Sequence, residues 1–177
     1  VLAKIIWDWK GLINQGKKHI DSISYRFLLA SDFWIVINLI LAILISIPAI
    51  NIFTHGTHIT VAHAMGSTIG INSMILFAAI FYMISENRKE EFNKAQLKLI
   101  YRGFWITNIS LVIFWVSLIF SGVLKSYYTF QNLSFQQIIS NLHSYFEVFA
   151  ISGLALFIGI IMIIIPLISK ISNKQRL

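Results

Sequence analysis

The chain has 177 residues, of which 57% are hydrophobic and only 12% are charged, and its mean hydropathy is +0.76. Water-soluble domains contain about 25% charged residues, so this composition excludes a water-soluble globule, a disordered segment and a nucleic-acid-binding domain. The chain contains no cysteine, which excludes disulfides, thiolate metal sites and iron–sulfur clusters. The composition is that of an integral membrane protein in contact with a lipid bilayer.

Residues 1–32 precede the first uncharged stretch and are interpreted as a linker or loop on the cytoplasmic side. They are too long for a signal peptide, and the sequence begins with Val1 instead of methionine. We therefore interpret the chain as a piece of a larger protein.

Four uncharged stretches of at least 21 residues follow, and about 20 residues of helix span a bilayer. Lipid leaves backbone N–H and C=O groups without partners, so these stretches must be helical. The predicted fold is all-α, a polytopic membrane bundle of four transmembrane helices. The helices are predicted at 33–53, 59–84, 103–124 and 148–169, with a cytoplasmic loop at 85–102, an outer loop at 125–147 and a cytoplasmic tail at 170–177.

The basic residues predict the orientation of the bundle. Thirteen of the 14 Lys and Arg residues lie before the first stretch, between the second and third, or after the fourth. Lys125 alone lies on the other side. By the positive-inside rule both termini and the middle loop are cytoplasmic, and the net charge of +7 is mostly a topology signal.

The first connection, residues 54–58, is so short that the first two helices must be antiparallel neighbours. Pro48 precedes it, within the last turns of the first stretch. Proline removes one helical hydrogen bond, so we expect a kink there.

The second stretch contains the candidate for chemistry. His63 is the one histidine well inside a predicted helix, about one turn from the outer surface at 1.5 Å per residue, and imidazole is a common ligand of heme iron. At 100° per residue, small residues including Gly66 and Gly70 lie on the same side of the helix as His63. Small side chains on that side would let a flat macrocycle approach the helix. Met65 lies 200° away, on the opposite flank.

Structural interpretations of the same residues remain open. Gly66 and Gly70 also form a GxxxG helix-packing motif, and His63 could be a hydrogen-bond partner between helices. Met65 alone is more often a packing residue than a ligand. His55 and His58, at the aqueous edge, are interpreted as turn or surface residues.

The segment 53–66, FTHGTHITVAHAMG, resembles the tenth-helix region of the nitric oxide reductase large subunit, a branch of the heme–copper oxidase superfamily. The strong match covers roughly 31–83, and the last two helices fit by pattern. The resemblance implies that these are the last four helices of a twelve-helix subunit in a bacterial inner membrane, with its hemes near the outer surface.

The resemblance also implies ligands and cofactors. His63 matches the proximal iron ligand of the high-spin heme b, and is the expected metal-binding residue of this chain. The family has a second histidine two positions later for the low-spin heme b, where this chain has Met65, the candidate thioether ligand. Lys125 is a candidate contact of a heme propionate, or an interfacial lysine that extends to water. The ligands of the non-heme iron (or copper) lie on helices outside this chain.

The implied reaction is reduction of nitric oxide to nitrous oxide, with electrons from a c-type cytochrome subunit or donor. The remainder of the catalytic subunit is the required partner, because this piece alone has no complete catalytic site. One alternative is an oxygen-reducing subunit I with copper as second metal. Another is a heme-free membrane scaffold or assembly protein. A third, a small diheme carrier, is disfavoured because a second histidine inside the membrane is missing.

Overall fold

The computed structural model describes residues 22–87 and 92–172, and the regular structure of these two ranges is entirely helical. The sequence expectations for 1–21, 88–91 and 173–177 lie outside the described residues. In chain order the elements are α1 (Ser22–Ser46), α2 (Pro48–Thr54), α3 (His58–Met65), a π-helix (Gly66–Ser73), α4 (Met74–Asn87), α5 (Lys94–Phe130) and α6 (Phe135–Ser172).

Four helical segments of the described chain are long and apolar enough to cross a membrane. The second is composite, because α3, the π-helix and α4 follow one another without a break. The prediction of an all-α membrane bundle with four transmembrane helices is therefore confirmed. The segments are Ile23–Ser46, His58–Glu86, Lys94–Phe130 and Phe135–Lys170.

The first helix is broken where a kink was expected. Ile47 has an extended backbone (φ −71°, ψ 121°), and Pro48 is the first residue of α2. Proline lacks the N–H that would continue α1, while its fixed φ suits the first position of a new helix. The expected kink at Pro48 is thus a break between two helices, α1 and α2.

The structure differs from the predicted outer loop at 125–147, because helix occupies most of that range and only 131–134 connect α5 to α6. Asn132 has a φ of 58°, and the N–H groups of Asn132 and Leu133 donate to the carbonyls of Thr129 and Tyr128. This is the Schellman pattern that ends a helix. Ser134 then bonds reciprocally with Gln137, as residues do at a helix start.

The two connections at the other end are also shorter than predicted. Helix α1 already begins at Ser22, and α4 continues to Asn87. Helix α5 begins at Lys94, where Asn93 and Gln96 form a capping box. Hydropathy marks only the apolar part of a helix, whereas capping residues mark its ends.

Helices α5 and α6 form the most extensive pair. A Cβ on Gly103 would lie 2.8 Å from the carbonyl oxygen of Gly159, so these glycines allow the two backbones to approach closely. Helix α1 packs against the π-helix and α4, and α3 packs against α5. The short 55–57 connection makes α1 and the composite second segment neighbours.

The bundle has two ends of different chemistry. We call the end where α4 finishes and α5 begins the basic end, and the opposite end, at residues 55–57, the turn end. Near the basic end lies an aromatic core, in which Phe27 lies 5.1–5.5 Å between ring centroids from each of three other phenylalanines. The aromatic core consists of Phe27, Phe77, Phe81 and Phe104, all 8% exposed or less.

Candidate functional site

His63 lies two residues before the end of α3 and is half-buried. Its Nδ1 is 3.2 Å from Oδ1 of Asn38 on α1. Among the described residues no hydrogen-bond partner is present for Nε2. An imidazole that is held through Nδ1 can offer Nε2 to a metal, which is the usual arrangement of metal-binding histidines.

Asn38 links His63 to a third residue. Nδ2 of Asn38 donates to Oγ of Ser67 at 2.7 Å, and that hydroxyl donates to the backbone carbonyl of His63 at 3.1 Å. We call Asn38, His63 and Ser67 the amide network. Asn38 is only 2% exposed, so the network holds a buried polar group within an otherwise apolar segment.

The two glycines of the GxxxG motif receive side chains of α1. A Cβ on Gly66 would lie 2.7 Å from Oδ1 of Asn38, and one on Gly70 would lie 2.5 Å from the ring of Trp34. The suggestion that these small residues leave space for a macrocycle is therefore wrong for the described chain. The space is filled by α1, as the helix-packing interpretation of the motif predicts.

The azimuths predicted beyond residue 65 also need correction, because Gly66–Ser73 is a π-helix. Its hydrogen bonds join residues five apart, so it winds differently from an α-helix. Oγ of Ser73 donates to the carbonyl of Thr68, five residues earlier. Met74, which an α-helical pattern aligns with His63, is fully buried in the hydrophobic cluster that contains the aromatic core.

Met65 stays within α3, two residues from His63. It is partly buried and packs against an apolar cluster formed by α1, α3 and α5. The cluster consists of Leu41, Ile59, Ala62 and Leu118. The side chain has a packing role in this arrangement, and its sulfur is the one softer donor beside His63 on α3.

Lys125 lies at the turn end and holds the first connection in place. Its Nζ donates to the carbonyl oxygen of Gly56 at 3.0 Å, and Oγ of the adjacent Ser126 donates to the carbonyl of Phe53. The ammonium group has two further N–H donors that could meet an anionic group. The side chain of Lys125 lines a groove of about 360 Å³ at the turn end.

The two histidines of the first connection, His55 and His58, differ in environment. His55 is exposed in the turn, in keeping with the surface interpretation. His58, the first residue of α3, is half-buried, and its ring contacts Phe146 edge-on at a centroid distance of 5.4 Å. Its Nδ1 is buried without a hydrogen-bond partner among the described residues.

Sequence reasoning missed two residues of the site, Asn38 and Trp34. The signal for Asn38 was present, because an amide in the middle of an apolar stretch needs a partner. Its partners lie 25 and 29 residues away, so the sequence pattern does not reveal which residues they are. Trp34 is fully buried, and its Nε1 donates to Oδ1 of Asn108 at 3.3 Å.

Comparison with known proteins identifies the family of the chain. Residues 3–155 match the family described as cytochrome c and quinol oxidase polypeptide I. The chain belongs to this family. Because the match extends over most of the chain, it includes the whole amide network and the turn end.

Two curated relatives are similar to the chain. One, the cytochrome c oxidase subunit 1 homolog of Agrobacterium tumefaciens (strain T37), is 26% identical over 140 residues, or 75% of this chain and 26% of the relative. The other, a bacteroid homolog of the same name from Bradyrhizobium diazoefficiens, is 27% identical over 125 residues, or 66% and 22%. The chain thus spans about a quarter of the length of these relatives.

The residues present fit part of the family's cofactor set. Proteins of this family typically bind heme and copper. Nδ1 of His63 is held by Asn38 and Nε2 has no partner among the described residues, so this imidazole fits a ligand of heme iron. Within 22–87 and 92–172 no group of three or more His, Cys, Asp or Glu residues could hold a further metal. Among the described residues, His63 is thus a candidate iron ligand by itself and not a member of a metal-binding cluster.

Proposed function

We propose that the chain is the C-terminal part of the catalytic subunit of a respiratory membrane oxidoreductase of the nitric oxide reductase type. In this proposal Nε2 of His63 binds the iron of the high-spin heme b. The observation that carries the proposal is the contact of Nδ1 with Asn38, which leaves Nε2 available. The resemblance of residues 53–66 to nitric oxide reductases supports the choice of substrate.

The proposed reaction is 2 NO + 2 H⁺ + 2 e⁻ → N₂O + H₂O. The high-spin heme b and a non-heme iron bound by residues outside this chain would supply the two metals at which nitric oxide is reduced. The contribution of this chain is to hold the proximal imidazole in a fixed orientation. Helix α1 supports that imidazole from the side of Asn38, a residue that is 2% exposed.

Met65 is the proposed ligand of the low-spin heme b. Its support is its place two residues after His63, the spacing of the second ligand in the resembled family. A thioether is a softer donor than imidazole and favours Fe(II), so the reduction potential should lie above that of a bis-histidine heme. Lys125 is the proposed contact of a propionate, through the N–H groups that Gly56 does not use.

Met65→Leu and Met65→His test the ligand role in the complete subunit. We expect Met65→Leu to remove the low-spin spectrum, and Met65→His to retain it at a lower potential and without a thioether charge-transfer band. An unchanged low-spin spectrum in Met65→Leu would show that Met65 only packs against its apolar cluster.

The proposed location is a bacterial inner membrane, with the basic end of the bundle in the cytoplasm. The excess of basic residues at that end supports this orientation. In the complete subunit, a single cysteine at position 131 should react with an impermeant reagent in intact cells, and one at position 90 should not. The reverse labelling would overturn the orientation.

The test of the function uses the complete subunit with its c-type cytochrome donor. We expect reduced enzyme to convert ¹⁵N-labelled nitric oxide to nitrous oxide, as measured by mass spectrometry, and His63→Ala to abolish this turnover. Oxygen reduction is the second candidate, because the two curated relatives are named as cytochrome c oxidase subunit 1 homologs. Oxygen consumption without nitrous oxide formation would favour it, and a protein without Soret absorption would favour a scaffold.

A further inference from the structure

We propose that Asn38 is a positioning residue that sets the tautomer and the donor strength of His63. Together with Ser67 it fixes a proton on Nδ1, so that Nε2 presents its lone pair. This inference rests on the proposed role of His63 as an iron ligand. It goes further because it proposes that Asn38 and Ser67, which do not bind the iron themselves, determine the donor strength of Nε2 of His63.

The direction of each hydrogen bond follows from a group that can only accept. The backbone carbonyl of His63 has no proton, so the Ser67 hydroxyl, 3.1 Å away, must donate its single hydrogen to it. That hydroxyl can then only accept from Asn38. The group of Asn38 that lies 2.7 Å from it is therefore the NH₂ group.

The amide orientation now determines the histidine tautomer. With its NH₂ group on Ser67, Asn38 presents its carbonyl oxygen to His63, at 3.2 Å from Nδ1. An amide oxygen cannot donate, so Nδ1 must carry the proton. The network thus assigns a tautomer that a lone histidine would leave undetermined. A neutral imidazole protonated on Nδ1 has its lone pair on Nε2, the atom without a protein partner among the described residues.

The packing around Asn38 shows that this contact is built into the helix interface. A Cβ on Gly66 would lie 2.7 Å from Oδ1 of Asn38, so only glycine at this position lets the amide reach the ring. One turn earlier on α1, Trp34 packs on Gly70 and fixes the distance between the helices. The Asn38–Ser67 bond alone would be enough to join α1 to the π-helix. The bond to Nδ1 is a second contact between α1 and this segment, and it is made to the ring nitrogen whose protonation determines which nitrogen carries the lone pair.

The expected consequence is electronic. A hydrogen bond from Nδ1–H to an oxygen raises the basicity of the ligating nitrogen. This strengthens the bond to iron and favours the ferric state. Loss of the acceptor should weaken the iron–histidine bond and raise the reduction potential of the high-spin heme. A carboxylate acceptor should do the opposite, because it draws the proton more strongly.

The experiment uses the complete subunit with its hemes. The variants are Asn38→Leu, Asn38→Asp and Ser67→Ala, and the control is Asn108→Leu. Asn108 is also a partly buried amide, but it forms hydrogen bonds to Trp34 and to the carbonyl of Phe104, and none to His63. The readouts are the iron–histidine stretching frequency of the ferrous high-spin heme and its reduction potential. Heme content and turnover are recorded beside them.

We expect Asn38→Leu to lower the stretching frequency and raise the potential while heme remains bound. Asn38→Asp should shift both in the opposite direction, and Ser67→Ala should give a smaller shift in the direction of Asn38→Leu. Asn108→Leu should leave both unchanged. If Asn38→Leu does not accumulate in the membrane, Asn38→Asp and Ser67→Ala decide the question.

The inference would be overturned if the stretching frequency and the reduction potential were unchanged in the Asn38 variants that fold. It would also be overturned if Asn108→Leu shifted both quantities in the same direction as the Asn38 variants do. Its failure is distinguishable from failure of the proposed function. If His63→Gly loses the high-spin heme and the Asn38 variants show no shift, only the positioning role is wrong. If His63→Gly retains the native high-spin heme, the ligand assignment itself is wrong.

Discussion

The aromatic core and the amide network both join α1 to the second transmembrane segment, but by different means. In the aromatic core Phe27 contacts three other phenylalanine rings, and the contacts are apolar and tolerant of direction. In the amide network two hydrogen bonds join α1 to the second transmembrane segment and a third lies within that segment. Each of them depends on the alignment of a donor with an acceptor. Both lie in the described part of one small bundle. Their difference separates residues that stabilise the bundle from residues that we propose to orient the imidazole of His63.

The two regions differ because a membrane protein is surrounded by lipid and not by water. Lipid is as apolar as a phenylalanine ring, so the aromatic core is stabilised by close packing more than by exclusion of water. A buried amide gains nothing from lipid and must find partners within the protein. Asn38 therefore takes one defined position, whereas a ring of the aromatic core can adjust to its neighbours.

The largest expected effect is that of removing the imidazole. In the complete subunit His63→Ala should abolish the high-spin heme signal and turnover, while the protein remains in the membrane with its aromatic core intact. Optical and electron paramagnetic resonance spectra measure this. His55→Ala, in the exposed turn, is the matched control and should retain both. Unchanged heme content in His63→Ala would show that His63 does not bind the high-spin heme.

A cavity in the aromatic core should destabilise the bundle without altering the site. Phe27 is 1% exposed. Phe→Ala costs about 3–5 kcal/mol in a water-soluble core, and because lipid replaces water here we expect about 2 kcal/mol. Detergent-induced unfolding measures the loss, and the reduction potential of the high-spin heme should be unchanged.

Phe33, which is 53% exposed on the same helix, is the control for this substitution. Phe33→Ala should change the free energy of unfolding by less than about 0.5 kcal/mol. A shift of the heme potential in Phe27→Ala would show that the two regions are coupled instead of separate.

The two glycines of the π-helix allow a sharper test, because they are one turn apart and meet different partners. Gly66→Ala should displace the Asn38 amide from Nδ1 and raise the heme potential, as Asn38→Leu does. Gly70→Ala meets the rigid indole of Trp34 and should cost about 1–2 kcal/mol of stability through overpacking. Equal effects of the two substitutions on the potential would contradict the assignment of Gly66 to the amide network.

The smallest expected effect is at the turn end. Lys125→Met removes the hydrogen bond to Gly56 and should lower the free energy of unfolding by at most about 1 kcal/mol, as for a partly exposed hydrogen bond. The proposed propionate contact predicts in addition a resolvable shift in a heme potential. An identical redox titration would leave Lys125 with the structural role alone.

The apolar stretches were enough to predict four transmembrane helices, because the thickness of the bilayer fixes the length of an apolar stretch, although the ends of the helices differ from the prediction. The sequence also singled out His63, since an ionisable side chain inside a membrane helix is costly and therefore informative. Both signals are local, so each can be recognised within a few turns of helix. The Schellman and capping residues at 131–137 were equally local and could have corrected the predicted loop.

The surroundings of His63 depend on how the helices pack and are not evident from the sequence. The partner on α1 lies 25 residues away, and Lys125 reaches a carbonyl 69 residues away. Asn38 and Trp34 of α1 lie against the two glycines of the π-helix, a contact between helices that the sequence pattern does not reveal. Hydropathy shows that a helix crosses the membrane, but the side chain it meets there depends on how the helices pack.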